Sequence, residues 1–354
     1  MKNSVLLFAA ILTQTILSQA ADNLKVIAPA TGAYHGAFMD FGPTASAVSV
    51  EKIQAYQQIV NKKAVWAYFA NDWLDGKIIF PLESAEIIRN EKLIPYIRLM
   101  PWSKMSANAN QADPVFSMQT FLDGKHTEAL RTYFTAAKNF SGPLIMEFGP
   151  EVNGDWFPWN GTWNGGKKTD SYGDKAEPDG PERFKDVLKM IIQLSREAGA
   201  NNITWVFHVD SAKSPEADWN DIKHYYPGDE FIDWIGISVF GAQLPTHEWH
   251  LFQNKLKRFV PDLENLKSAR PWLIAEMAVI ESTNDPDKKA VWLRQALRFI
   301  EAGIFPKVKG ITYWNSPGWL ANEKANFKVD SSEQALESFK SEISKTFWLT
   351  DAQF

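Results

Sequence analysis

The sequence predicts a (β/α)8 barrel of a single domain, on three observations. Eight apolar runs of strand length recur along the chain, amphipathic helical patterns separate them, and the unusual polar and aromatic residues gather just past the runs. Runs of this kind, rich in Ile, Val and aromatics, suit strands buried on both faces of a parallel sheet. Alternation with helices then points to an α/β barrel, in which active sites collect at the C-terminal ends of the strands. A doubly wound open sheet is the alternative, but no G-x-G-x-x-G follows an early run, so nothing points to a dinucleotide or other cofactor.

The expected strands are Lys25–Pro29, Ala64–Ala70, Ile94–Met100, Pro143–Gly149, Ile203–His208, Ile232–Phe240, Trp272–Met277 and Gly310–Trp314. The expected helices are Val50–Asn61, Leu82–Glu91, His126–Phe140, Pro181–Ala198, Trp249–Ser268, Asp285–Ala302 and Ser332–Lys345. The stretch between Val209 and Asp229 carries the weakest helical pattern. Pro181 and Pro286 suit first-turn positions of helices, and Gly303 suits a C-terminal cap.

Residues 1–20 read as a signal peptide. Lys2 gives the positive start, Val5 to Leu17 a short broken apolar stretch, and Ser18-Gln19-Ala20 the small residues before cleavage at Ala21. A buried N-terminal helix is the other reading. The stretch is too short for a membrane span. The mature domain, 21–354, is thus expected to be secreted or periplasmic, with no membrane insertion after cleavage, and to act as a monomer. There are no cysteines, which excludes disulfides and thiolate chemistry. A net charge of −5 argues against a nucleic-acid partner.

Glycoside hydrolysis needs two carboxyl groups flanking one bond, and in retaining enzymes these lie roughly 5–5.5 Å apart. Glu151 follows the fourth run and Glu276 falls near the end of the seventh, so a barrel aims both at one axial pocket. Past Glu151 the chain reads MEFGPEVNGDWFPWNGTWNGG, with Asn153, Trp156, Trp159 and Trp163 close together. Indole faces cover the C–H face of a pyranose while Asn, Asp and Gly bind hydroxyls. The bland reading is that these tryptophans are loop core. Asp72 and Trp73, Trp102, His208 and Asp210, Phe240, and Trp314 with Asn315 stand at the other strand ends.

PEVNGDWFPWNG, Pro150 to Gly161, resembles the acid/base motif of glycoside hydrolase family 26, commonly His-Glu-Met-Asn-Gly followed by a tryptophan-containing run. YYPGDEFIDWIGISVFG (Tyr225 to Gly241), PWLIAEMAV (Pro271 to Val279) and KGITYWN (Lys309 to Asn315) look like its sixth, seventh and eighth strands, in order over most of the mature chain. The resemblance implies a barrel, net retention, endo action, Glu151 as acid/base and Glu276 as nucleophile. It implies Trp314 at the attacked sugar, with Trp156 and Trp159 as platforms near the cleavage point. β-Mannan, mixed-linkage β-1,3-1,4-glucan or β-1,3-xylan is the implied substrate. Three positions depart from the pattern: Pro150 replaces the usual histidine, Glu147 stands where mannanases often carry arginine, and Phe240 replaces a tyrosine that commonly bonds the nucleophile. These departures leave room for a barrel that binds or edits an exported polysaccharide with little or no turnover.

Alternation along the fourth run points Glu147 into the barrel, where a buried carboxylate needs a partner; Arg98 on the third run is the expected one. The six histidines form no metal motif. His247 and His250 read as surface residues, while His35 and His208 either touch substrate or are satisfied polar groups in the barrel mouth. The Asp-rich loop, Asp170 to Asp179, lacks EF-hand spacing and reads as solvated.

Overall fold

The computed structural model describes residues 24–105, 111–317 and 325–354. Eight parallel strands close into a barrel: β1 (Ala33–Met39), β2 (Trp66–Asp72), β3 (Ile94–Met100), β4 (Leu144–Phe148), β5 (Ile203–Asp210), β6 (Trp234–Phe240), β7 (Trp272–Ala278) and β8 (Val308–Asn315). Each pairs in parallel with the next, and β1 pairs with both β8 and β2 to close the ring. Among the described residues the outer layer comprises α1 (Val50–Val60), α2 (Leu82–Asn90), α3 (Met118–Leu122), α4 (Thr127–Asn139), α5 (Asp179–Glu197), α6 (Phe252–Asn265), α7 (Lys288–Glu301) and α8 (Glu333–Ile343). Between β5 and β6 the crossover is made by two 3-10 turns, Asp218–Asn220 and Ile222–His224. That is the stretch where the helical pattern was weakest.

Local chemistry explains the helix ends. Ser49, Ser117 and Ser332 cap α1, α3 and α8 by accepting backbone N–H bonds. Pro181 lies in the first turn of α5 as expected, whereas Pro286 stands ahead of α7, whose cap is Asp287. Gly303, at φ 70°, ends α7 with the Ile304 amide bonded back to the Phe299 carbonyl.

One strand assignment is corrected. Lys25–Pro29 is not the first barrel strand; β1 begins at Ala33, in the less apolar AYHGAFM. The earlier segment instead crosses the barrel's N-terminal end. Val26 bonds Thr204 and Trp234, Lys25 pairs with Asp233, and Ile27 bridges Gln353. Val26 is buried against the floor while Ile27 is exposed, so the apolar run that reads as a buried strand is only partly buried. Above it Trp66 fills the barrel axis, with its indole N–H bonded to Thr312 at 2.9 Å. Gly36 of β1 makes room: a Cβ there would stand 2.0 Å from the Trp66 indole nitrogen. The proposed signal, residues 1–20, lies outside the described residues.

Candidate active site

β4 ends at Phe148, and the chain then turns sharply through Gly149 (φ 58°) and Glu151 (φ 52°). A left-handed conformation at a non-glycine residue costs about 1–3 kcal/mol and persists only when its surroundings dictate it. Here Asn153 dictates it, exchanging side-chain bonds with the Asp210 amide (2.8 Å) and carbonyl (2.9 Å) at the end of β5. Val152 bonds the His208 carbonyl, and Asn160 bonds the Val152 carbonyl. Glu151 is thereby fixed at the rim with its Oε2 accepting the Trp156 indole N–H at 2.8 Å. Gly154 is required for that contact, because a Cβ at 154 would stand 2.2 Å from the Trp156 ring.

Glu276 is aimed by a bulge. Between Leu273 and Glu276, β7 uses three steps where β6 uses two, from Gly236 to Ser238. Against β8 it again uses three, Ile274 to Met277, for two from Ile311 to Tyr313. Such irregularities redirect side chains next to active sites. The Glu276 carboxylate meets Arg98 Nη2 at 3.0 Å and the Tyr68 hydroxyl at 2.9 Å.

Below it lies Glu147, with no exposed surface. Its Oε1 is 2.5 Å from the Tyr68 hydroxyl and 3.6 Å from Arg98 Nε; its Oε2 is 2.6 Å from the Tyr96 hydroxyl and 3.0 Å from His208 Nδ1. His208 Nε2 meets the Ser238 hydroxyl at 2.9 Å. The expected Arg98–Glu147 pair is present, across directly paired positions of β3 and β4.

The protonation of these groups follows from their neighbours. Burial pushes Glu147 up, but His208, Arg98 and Tyr68 outweigh it and hold the carboxyl below its usual range. Glu276 goes the other way, to about 7: burial raises it, Glu151 and Glu147 add to the rise, and Arg98 and His208 only partly offset them. Burial lowers His208, but the Glu147 carboxylate overrides this and leaves the imidazole above its ordinary value. Asp210, at the rim, is raised well above its usual range by burial and then by Glu151.

Several residues expected to bind substrate do not present a surface to it. Trp73 is fully buried and packs on Phe116, Phe121, Tyr133 and Phe148, behind the strands rather than in the mouth. Trp159 is fully buried, stacked on Phe157 at 4.3 Å with its N–H on the Pro150 carbonyl; it is loop core. Trp102 is nearly buried, against Phe157 and Trp159, and its N–H holds Asp72 at 2.8 Å. Asn153 is fully buried as a backbone staple, and the His208 side chain is wholly enclosed by Glu147 and Ser238. Phe240 is buried against Phe327, and its carbonyl accepts Lys255. His35 belongs to β1, bonded to Tyr56 outside the mouth. Surface remains on Trp156 and Trp163, and Trp314 keeps an edge open while stacking on Phe38 and facing Arg98. Trp319 lies outside the described residues.

Tyr68 and Tyr96 escaped the sequence reading. Their signal is the inward alternation of WAYFA and IPYIRLM, which puts Tyr68, Tyr96 and Arg98 on the axial face. Glu147, His208 and Glu276 each bring a donor atom within 4.8 Å of the others, the one such donor group among the described residues. Arg98 already supplies positive charge between the two carboxylates, so a dication there would have to displace it.

A closed parallel barrel with two glutamates at its C-terminal rim has the pair of carboxyl groups that glycoside hydrolysis uses. The family model for glycosyl hydrolase family 26 matches residues 129–273. Over that stretch, less than half of its length, the chain is similar to that family. It is 22% identical over 312 residues to endoglucanase H of Acetivibrio thermocellus, covering 87% of this chain and 30% of that protein. It is 24% identical over 258 residues to the β-1,3-xylanase TXYA of a Vibrio species, covering 67% of this chain and 50% of that one. The chain thus spans half or less of the length of these relatives. Among solved structures, a modular endo-β-1,4-mannanase from Cellulomonas fimi superposes with a TM-score of 0.59 at 15% identity, covering 90% of this chain and 72% of that one.

Proposed function

We propose that this chain is a retaining endo-β-glycanase in which Glu151 is the acid/base and Glu276 the nucleophile. The observation that carries the reading is the separation of roles built around the two rim glutamates. Glu151 is held on a strained turn by one indole N–H, at the edge where a leaving oxygen would sit. Glu276 is anchored by Arg98 and Tyr68 at the base of the mouth, where an anomeric carbon would meet it. Glu151 would protonate the leaving glycosidic oxygen as Glu276 attacks the anomeric carbon. Glu151, now the base, would then activate water to release the covalent glycosyl group with net retention.

The departures from the family pattern have local compensations. The guanidinium absent at position 147 is supplied by Arg98 from β3, and the phenol absent at 240 by Tyr68 from β2. These substitutions support a working site over a barrel that only binds polysaccharide. β-Mannan and mixed-linkage β-1,3-1,4-glucan are the substrates we place first, with β-1,3-xylan next. The matched relatives carry mannanase, endoglucanase and β-1,3-xylanase names. Export through removal of residues 1–20 belongs to the same reading, and N-terminal sequencing of the mature protein would find Ala21 first.

The test is product analysis on a polysaccharide panel, with Glu276→Ala as control. Mixed oligosaccharides at early times support endo cleavage. Monosaccharide alone from the outset would exclude it, as would turnover that survives in the control.

A further inference from the structure

The Tyr68 hydroxyl lies within hydrogen-bonding distance of two carboxyl groups at once, Glu147 Oε1 at 2.5 Å and Glu276 Oε1 at 2.9 Å. A phenol has one proton. It can donate fully to one carboxylate; the second contact is a hydrogen bond only if that carboxyl brings its own proton and donates to the phenol oxygen. Which of the two carries the proton follows from the remaining partners. Glu147 also receives the Tyr96 hydroxyl at 2.6 Å, with His208 at 3.0 Å and Arg98 at 3.6 Å beside it. It is surrounded by donors and has none to give. Among the described residues Glu276 has Arg98 as its close cationic contact, at 3.0 Å, with His208 further off, and it faces both Glu147 and Glu151.

We infer that Tyr68 and Glu147 form a proton-holding pair for Glu276: Glu147 takes the Tyr68 proton, and the Tyr68 oxygen in turn accepts a proton carried by Glu276, storing it as a neutral carboxylic acid in the empty site. Tyr68 and Glu147 are positioning residues in this scheme; neither touches the sugar bond. The groups that face Glu276 are Tyr68 from β2, Tyr96 and Arg98 from β3, Glu147 on and Glu151 after β4, and His208 from β5. The direction of Glu276 in this surrounding, raised to about 7, agrees with storage of a proton. Ionising Glu276 removes that proton to solvent or a base, breaks the Glu276-to-Tyr68 bond, and leaves two carboxylates competing for one phenol proton. Removing either Tyr68 or Glu147 therefore eases ionisation. The opposite arrangement, with Tyr68 donating to an anionic Glu276, makes the opposite prediction for Tyr68, whose loss would then hinder ionisation.

This inference uses the proposed function only in naming Glu276 a nucleophile, and it is tested without turnover. pH-difference infrared spectra of the intact protein carrying 13C-labelled glutamate report protonated buried carboxyls directly. A carboxylic-acid band with a midpoint near pH 7 is expected; it should persist in Glu151→Gln with a lower midpoint, because Glu151 is one of the charges that raise Glu276, and be absent in Glu276→Gln. In Tyr68→Phe and in Glu147→Gln the midpoint should move to lower pH by about one unit, a tenfold change in the dissociation constant. A midpoint that rises in Tyr68→Phe would overturn the proposal, as would a wild-type Glu276 already ionised at about pH 5. Should Tyr68→Phe fail to fold, the wild-type midpoint and Glu147→Gln decide by the same criteria. A protein with the expected spectra but no glycanase activity would refute the proposed function and leave the proton-holding pair intact.

Discussion

Replacing Arg98 by methionine removes the guanidinium that the two innermost carboxylates share. Its side chain is 8% exposed, against 0% for Glu147 and 4% for Glu276, so solvent cannot take its place. Breaking a buried pair from one side typically costs about 3–5 kcal/mol, because the partner charge is left uncompensated. Here the escape route is protonation, which makes the loss depend on pH. Glu276 already sits above its unfolded value, so the native state holds a proton that the unfolded chain has released, and its contribution to stability falls from about pH 4.5 up to about pH 7. Glu147 is depressed, so it contributes stability above its unfolded value and loses it as pH falls through the folded one. Without Arg98 both carboxyls move up. The falling window then deepens at about 1.4 kcal/mol per pH unit for each group and extends to higher pH. Urea denaturation at about pH 5 and about pH 8 measures this. Arg98→Met should lose several kcal/mol at the higher pH and clearly less at the lower, and adding Glu147→Gln should recover part of the loss. A cost under about 1 kcal/mol at both pH values would falsify the view that Arg98 compensates this cluster.

Other outcomes follow from the same contacts. Trp156→Phe deletes the indole N–H on Glu151; at about 1.5–3 kcal/mol for a bond to a charged group, kcat on unactivated substrate should fall roughly 10- to 100-fold. The loss should be small on aryl glycosides with good leaving groups, which need little protonation. Trp73→Ala and Trp159→Ala should each cost about 3–5 kcal/mol of stability while leaving KM unchanged, since both indoles are core; a raised KM with unchanged stability would return them to the substrate groove. Glu151→Ala should retain turnover of activated aryl glycosides and be rescued by azide with retained configuration, whereas Glu276→Ala should lose turnover of every substrate; identical behaviour of the two would reverse or abolish the assigned roles.

The sequence was most informative where one physical rule acted alone. Strands buried on both faces show as continuous apolar runs, and seven of the expected runs overlap β2 to β8. β1 was missed because AYHGAFM contains His35 and Gly36: the histidine is satisfied by Tyr56, and the glycine exists to admit Trp66 from a neighbouring strand. Neither reason is local. The tryptophan cluster misled for a related reason. Trp156 and Trp159 are three residues apart, yet one lies over Gly154 with its N–H on Glu151 and the other is folded under Phe157. Composition gives both the same sugar-binding character. Glu147 and Arg98 were legible because alternation fixed the facing of each, and burial of a carboxylate demands a cation. Tyr68 was not, because a tyrosine in an apolar strand gives no sign that its hydroxyl reaches two carboxyl groups.

The central claim is that Glu276 attacks the sugar while Glu151 serves the leaving oxygen. The most direct measurement is covalent trapping: incubation with a 2-deoxy-2-fluoro glycoside carrying an activated leaving group, followed by mass spectrometry of the digested protein. The structure predicts one glycosyl group per chain, attached to Glu276 in the segment from Trp272 to Ala278. Attachment at Glu151 or Glu147 would contradict the assignment, and products released with inverted configuration and no adduct would contradict the mechanism itself.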